Sequence, residues 1–147
     1  MSTVAGKYLT FALADEEYGV PVLKVREIIQ MLDVTAVPQV AGYVRGVINL
    51  RGKVIPVIDL RTRLGLPAQP DTGRTCVIVV ETAISLSGLV VDAVSDVLSV
   101  PEQDIEEVPN FGGRADVTCV SGMAKVKDHV KILLDLDVVL GGVTAAA

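Results

Sequence analysis

Apolar residues come in short Val-, Ile- and Leu-rich runs broken by Gly, Pro, Asn and Asp: YLTFAL (8–13), RGVINL (45–50), KVIPVIDL (53–60), TCVIVVE (75–81), SGLVVDAVSDVLSV (87–100) and HVKILLDL (129–136). β-branched runs of this length between turn formers predict an all-β barrel or sandwich. Helical grammar is confined to short pieces. Leu60–Leu64 is entered through Asp59, a good N-cap, and stopped by Gly65 with Pro67 beyond; LDLDVVLGG (134–142) follows the same pattern.

The runs also repeat. YGVPVLKVREII (18–29) superposes on SGLVVDAVSDVL (87–98) at an offset of 69, pairing Gly19 with Gly88, Val22 with Val91, Val25 with Val94 and Ile28 with Val97. VTAVPQV (34–40) lies on IEEVPNF (105–111) at an offset of 71; RGVI (45–48) on SGMA (121–124) and VIDLRTRLG (57–65) on LLDLDVVLG (133–141) follow at 76. Segments in the same order with slowly growing offsets mark two copies of one unit, about residues 8–66 and 74–142. Each copy is small for an independent core, so the two are expected to lean on each other. The expected architecture is two small antiparallel barrels side by side with short helical turns, and PAQPDTGR (67–74) as the seam.

Composition narrows the function. Half of the 147 residues are apolar but only 3% are aromatic, and the net charge is −5, which opposes nucleic-acid binding. One histidine (His129) and two cysteines (Cys76, Cys119) without paired spacing cannot build a structural zinc site, and no cofactor is expected. Both cysteines sit in apolar runs and read as small core residues. There is no signal-peptide pattern and no window of 18 uninterrupted apolar residues, so a cytoplasmic protein is expected. The charge is uneven: residues 1–72 carry eight basic against seven acidic side chains, residues 73–147 five against eleven. Arg45, Arg51, Lys53, Arg61 and Arg63 crowd one stretch with only Asp59 opposing, and Glu102, Asp104, Glu106 and Glu107 another. Solvated faces explain such clusters; a module with two different binding faces is the sharper reading.

Catalytic motifs are not evident. GVINLRGKV (46–54) lacks the spacing and hydroxyl of a phosphate loop, and His129 reads as a strand-end residue. Of the carboxylate pairs, Asp92 with Asp96 and Asp135 with Asp137, Asp135 aligns with Asp59 and reads as a cap. Asn49 to Gly52 reads as a hairpin turn that places Arg51 at its tip, with Lys127 at the matching place in the second copy. Gly19 and Gly88 mark either a barrel bend or a close approach.

The segments LTFALADEEYGVPVLKVREI, YVRGVINLRGKVIPVIDLRTRLG, GLVVDAVSDVLSV and VSGMAKVKDHVKILLDLDVVL together resemble the CheW-type coupling proteins of bacterial chemotaxis, over Tyr8 to about Gly142. The resemblance implies one CheW-like domain over residues 1–147, made of two SH3-like five-stranded barrels. It also implies a non-enzymatic adaptor that couples chemoreceptor cytoplasmic tips to the histidine kinase CheA at membrane-associated arrays. Carried over by motif, receptor-facing positions would be Val25, Gly46, Arg51, Gly88, Val94 and Val97, and kinase-facing positions Glu27, Ile28 and Val34. Val25, Val94 and Val97 would floor one apolar groove, glycines 46 and 88 would permit close approach, and Arg51 would act at the rim. A regulatory domain of a larger kinase, a small-ligand-binding barrel and a hydrolase on the same duplication are the other readings.

Overall fold

A computed structural model describes residues 6–31, 33–83, 85–106, 119–127 and 129–146. Along the chain come β1 (Gly6–Leu13), β2 (Glu16–Pro21), β3 (Val25–Gln30), β4 (Val44–Leu50), β5 (Lys53–Asp59), α1 (Leu60–Arg63), β6 (Cys76–Glu81) and β7 (Leu86–Val91). They continue with β8 (Ala93–Val100), β9 (Ile105–Glu106), β10 (Val120–Val126), β11 (His129–Leu134) and α2 (Leu136–Ala146), and single 3₁₀ turns lie at Val22–Lys24 and Glu102–Asp104.

The protein is mostly β, in two sheets that form two β subdomains. The order β3-β6-β7-β5-β4 builds the first barrel, and β8-β1-β2-β11-β10-β9 the second. The barrels are not the two sequence copies placed in tandem. β1 and β2 leave the first copy to pair with β8 and β11, while β6 and β7 leave the second to pair with β3 and β5. Each barrel is thus made of strands from both copies, in a reciprocal exchange. The second sheet has six strands rather than five because β9 pairs with β10 through Glu106 and Met123; the first sheet has a single bridge, Thr35 to Val47, in that place.

The duplication is kept in the registers. Gly19 faces Leu133 in the parallel pair β2–β11, as Gly88 faces Val57 in β7–β5. Bulges recur as well: β3 slips against β6 between Val25 and Glu27, and the matching slip against β1 comes between Val94 and Asp96 of β8. β4 and β10 slip at Val44/Gly46 and Val120/Gly122. Val108-Pro109, the partner of Val37-Pro38 in the alignment, lies outside the described residues.

Three apolar clusters hold the fold. Ile48, Ile55, Val57, Val77, Val79 and Val90 fill the first barrel; Tyr8, Val100, Ala124 and Leu133 fill the second. The largest cluster lies between the sheets, where Leu9, Phe11 and Val20 meet Ile78, Val80 and Leu89 together with Leu60, Val139 and Leu140 of the helices. This explains the unbroken CVIVV run of β6. Its odd residues face the barrel interior and its even residues face the other barrel, so neither face is polar. Each such Val or Ile contributes about 1.5–3 kcal/mol of burial.

Both helix starts follow the capping rule. The Asp59 carboxylate accepts the Thr62 N–H, and Asp135 Oδ1 accepts those of Asp137 and Val138 at 3.1 and 3.3 Å. α1 ends at Gly65 as the pattern predicts, but α2 continues through Gly141 to Ala146. Val139 and Leu140, just before that glycine, pack into the central cluster and anchor the helix there. Cys119 is buried in that cluster and Cys76 packs against it, where burial pushes its thiol pKa up.

Candidate functional site

β4 and β5 are joined by a two-residue turn, Leu50 pairing with Lys53 and leaving Arg51 and Gly52 between them. Both turn residues have positive φ, +53° and +86°, and Asn49 Oδ1 accepts the Gly52 N–H at 2.9 Å. Two left-handed residues in succession match the twist of the flanking strands; Gly52 takes its angle freely, and the Asn49 side chain ties the turn from the strand beside it. Arg51 is therefore carried outward, with 78% of its side chain exposed.

Its guanidinium forms a two-pronged pair with Glu27, at 2.7 and 3.0 Å. β3 slips against β6 at this point, with Val25 and Glu27 half-buried and Arg26 between them exposed and paired with Glu81 at 3.1 Å. Between the β3 bulge and the β4–β5 turn lies an open groove of about 410 Å³. Val25, Leu50, Val79 and Leu86 give it an apolar floor, and Arg26, Glu27, Arg51 and Lys53 its rim. Three cations and one anion rim the groove of a chain whose net charge is −5. Such a site suits an apolar segment carrying carboxylates, held by burial below and charge-assisted hydrogen bonds above. Among the described residues no group of His, Cys, Asp and Glu side chains could hold a metal ion.

The structure thus brings Val25, Arg51 and Glu27 together, joining one position from the expected kinase-facing set to two from the receptor-facing set. It separates the rest. Val94 and Val97 stand on β8 in the other barrel and do not line this groove, whose floor is Val25, Leu50, Val79 and Leu86. Val94 packs against the central cluster as Val25 does, while Val97 is 50% exposed and its counterpart Ile28 is 45% exposed, both on strands that end their sheets. Val34 leans on the interior of the first barrel. Gly46 and Gly88 are buried, and the close approach each permits is internal: a Cβ on Gly46 would meet Thr35, and one on Gly88 would stand 2.7 Å from Val77 Cγ1.

The basic stretch does not form a free face. Arg45 is paired with Asp59 and Asp71, and Arg61 with Asp92 at 2.8 Å, which holds that carboxyl below its usual range. Arg63 donates to the carbonyls of Val138 and Val139 and lies 5.1 Å from the Tyr43 ring centroid. Internal pairing, not a two-faced charge division, accounts for most of this stretch.

Leu50, Lys53, Val79 and Leu86 carried no signal when read singly, since each fits an ordinary strand. The signal lay in comparing the copies. At the offsets of the duplication, Val79 and Leu86 correspond to Thr10 and Glu17. On the second barrel Glu17 accepts from Lys131 at 2.6 Å and Ser95 at 3.0 Å, and the Lys131 bond is the main reason its pKa is lowered. Two of the four floor positions are thus polar and paired in the second barrel, so the two barrels differ in this groove.

A duplicated, strand-exchanged pair of barrels carrying a groove with an apolar floor and a charged rim has the arrangement of a binding scaffold. The family model for the CheW-like domain matches residues 7–143. The chemotaxis protein CheW of Rhizobium meliloti is 37% identical over 143 residues, covering 92% of both chains, and that of Bacillus subtilis is 35% identical over 134 residues, covering 91% of this chain and 86% of the other. The crystal structure of the scaffolding protein TtCheW from Thermoanaerobacter tengcongensis matches with a TM-score of 0.83 at 36% identity, over 90% of each chain. The chain belongs to the CheW family of non-enzymatic chemotaxis scaffolds.

Proposed function

We propose that the protein couples chemoreceptor cytoplasmic tips to the histidine kinase CheA, and that the groove on the first barrel receives the receptor's helical tip. The observation that carries this is the Arg51–Glu27 pair standing over an apolar floor: Val25, Leu50 and Leu86 would bury the apolar stripe of a helix, and Arg51 would exchange Glu27 for a carboxylate of the partner. Val94 and Val97 on β8 would extend the receptor-facing surface. Ile28, the outer edge of β3 around Glu27, and Val34 would meet the kinase's regulatory domain. Each contact is small, so occupancy would depend on several linked contacts in a cytoplasmic array at the membrane.

Titrating the isotope-labelled protein with a purified chemoreceptor cytoplasmic fragment tests the assignment. Amide signals of Val25, Leu50, Arg51 and Leu86 are expected to shift. Shifts confined to β10 and β11 of the second barrel would overturn it.

A further inference from the structure

Gly46 lies buried in β4 with φ +148°, a backbone angle that favours glycine. A Cβ at this position would stand 2.1 Å from the carbonyl oxygen of Thr35 and 3.0 Å from Val34 Cγ1. That carbonyl already has a task. It accepts the Val47 N–H at 2.9 Å, while the Thr35 N–H donates to the Val47 carbonyl at 2.9 Å. The short segment at Val34 and Thr35 is thus strapped flat across β4, with the Val34 side chain packed against the barrel interior. The second barrel repeats the arrangement: β9 is strapped on β10 at Met123 and Ala124, with Gly122 in the place of Gly46. In both copies a glycine stands one residue before the bridged position, Gly46 before Val47 and Gly122 before Met123.

We infer that Gly46 is a positioning residue for this strap rather than a point of contact with the receptor. It lets Thr35 lie against Val47 and so sets where Val34 is presented. The inference rests on the reading above that Val34 belongs to the kinase-facing surface. Gly46 and the Arg51 tip share β4 but stand five residues apart, about 17 Å along an extended strand. A disturbance of the strap can therefore be read separately from the groove.

The test uses Gly46→Ala in the full chain, with three readouts: amide hydrogen exchange of Thr35 and Val47, binding of a purified CheA regulatory domain, and binding of a chemoreceptor cytoplasmic fragment. Expected are exchange at least tenfold faster at Thr35 and Val47, regulatory-domain binding weakened at least tenfold, and receptor-fragment binding within twofold of the unmodified protein. Thr35→Pro removes the strap's donor while leaving Gly46 in place, and it should give the same split. If Gly46→Ala does not fold, Thr35→Pro decides. Loss of receptor-fragment binding with Thr35 and Val47 still protected would make Gly46 a contact residue and overturn the inference, as would equal weakening of both partners. If the unmodified chain binds no regulatory domain, the proposed function fails, and the exchange rates alone decide the positioning role.

Discussion

Arg51 and Lys127, 76 residues apart, hold the same place in two hairpins and the same left-handed backbone, at φ +53° and +56°. Their partners differ. Arg51 reaches across to Glu27, whereas Asp96, at the matching place in the second barrel, accepts the N–H of its neighbour Val97 at 2.8 Å. The duplication has kept the turn and specialised the charge.

Arg51→Glu follows from this asymmetry. Because Arg51 is mostly exposed, its loss should change stability by no more than about 1 kcal/mol. A charge-assisted hydrogen bond contributes about 1.5–3 kcal/mol where it is made, so receptor-fragment binding should weaken tenfold or more while the melting temperature stays nearly constant. A large fall in melting temperature would contradict the assignment of Arg51 to binding.

Leu86→Glu transplants the second barrel's side chain into the first. Glu17 is tolerated because Lys131 pairs with it; the position matching Lys131 is Ile55, which is buried. The single substitution puts a carboxylate among Arg26, Arg51 and Lys53, so it should cost no more than about 1 kcal/mol in denaturant unfolding and should abolish groove binding by occupying the cations offered to the partner. Adding Ile55→Lys should restore none of the binding and should lower stability further, because Ile55 fills the interior of the first barrel.

These pairs also mark what the sequence could and could not reveal. The offsets of 69 and 76 anticipate the paired glycines and the position of Arg51, because each is a local backbone requirement repeated in both copies. The exchange of strand pairs was not legible, since copies in tandem and copies exchanged share one repeat alignment. Arg45, Arg61 and Arg63 read as a basic patch because their partners lie 14 to 76 residues away. Leu86 became visible only when set beside Glu17.

Stability should fall on the acid side. Glu17 and Asp92 have folded pKa values below their ordinary 4.5 and 3.8, lowered chiefly by Lys131 and Arg61. A depressed carboxylate contributes stability that is full above its unfolded value and lost as pH falls through its folded value. Chemical denaturation between pH 7 and pH 2.5 should show that loss beginning near pH 5, and Glu17→Gln should flatten part of the slope. An unchanged slope would remove Glu17 from the account.

Arg63→Ala tests the clamp between the helices. It removes two hydrogen bonds to α2 carbonyls and the stacking over Tyr43, together worth about 1–3 kcal/mol. Circular dichroism melts should show the loss, and hydrogen exchange should place its largest effect in α2.

The strand exchange bears on how the chain is made. Glu17 and Lys131, bonded side chain to side chain, are 114 residues apart, and β1 pairs with β8 across most of the sequence. On the ribosome the first hairpin emerges before any strand it will join outside itself, and the second barrel cannot close until β11 has left the exit tunnel. Contacts of such sequence separation form slowly. The β1–β2 hairpin is therefore among the last parts of the fold to find its place, and its apolar face stays open until β8 and β11 have been made.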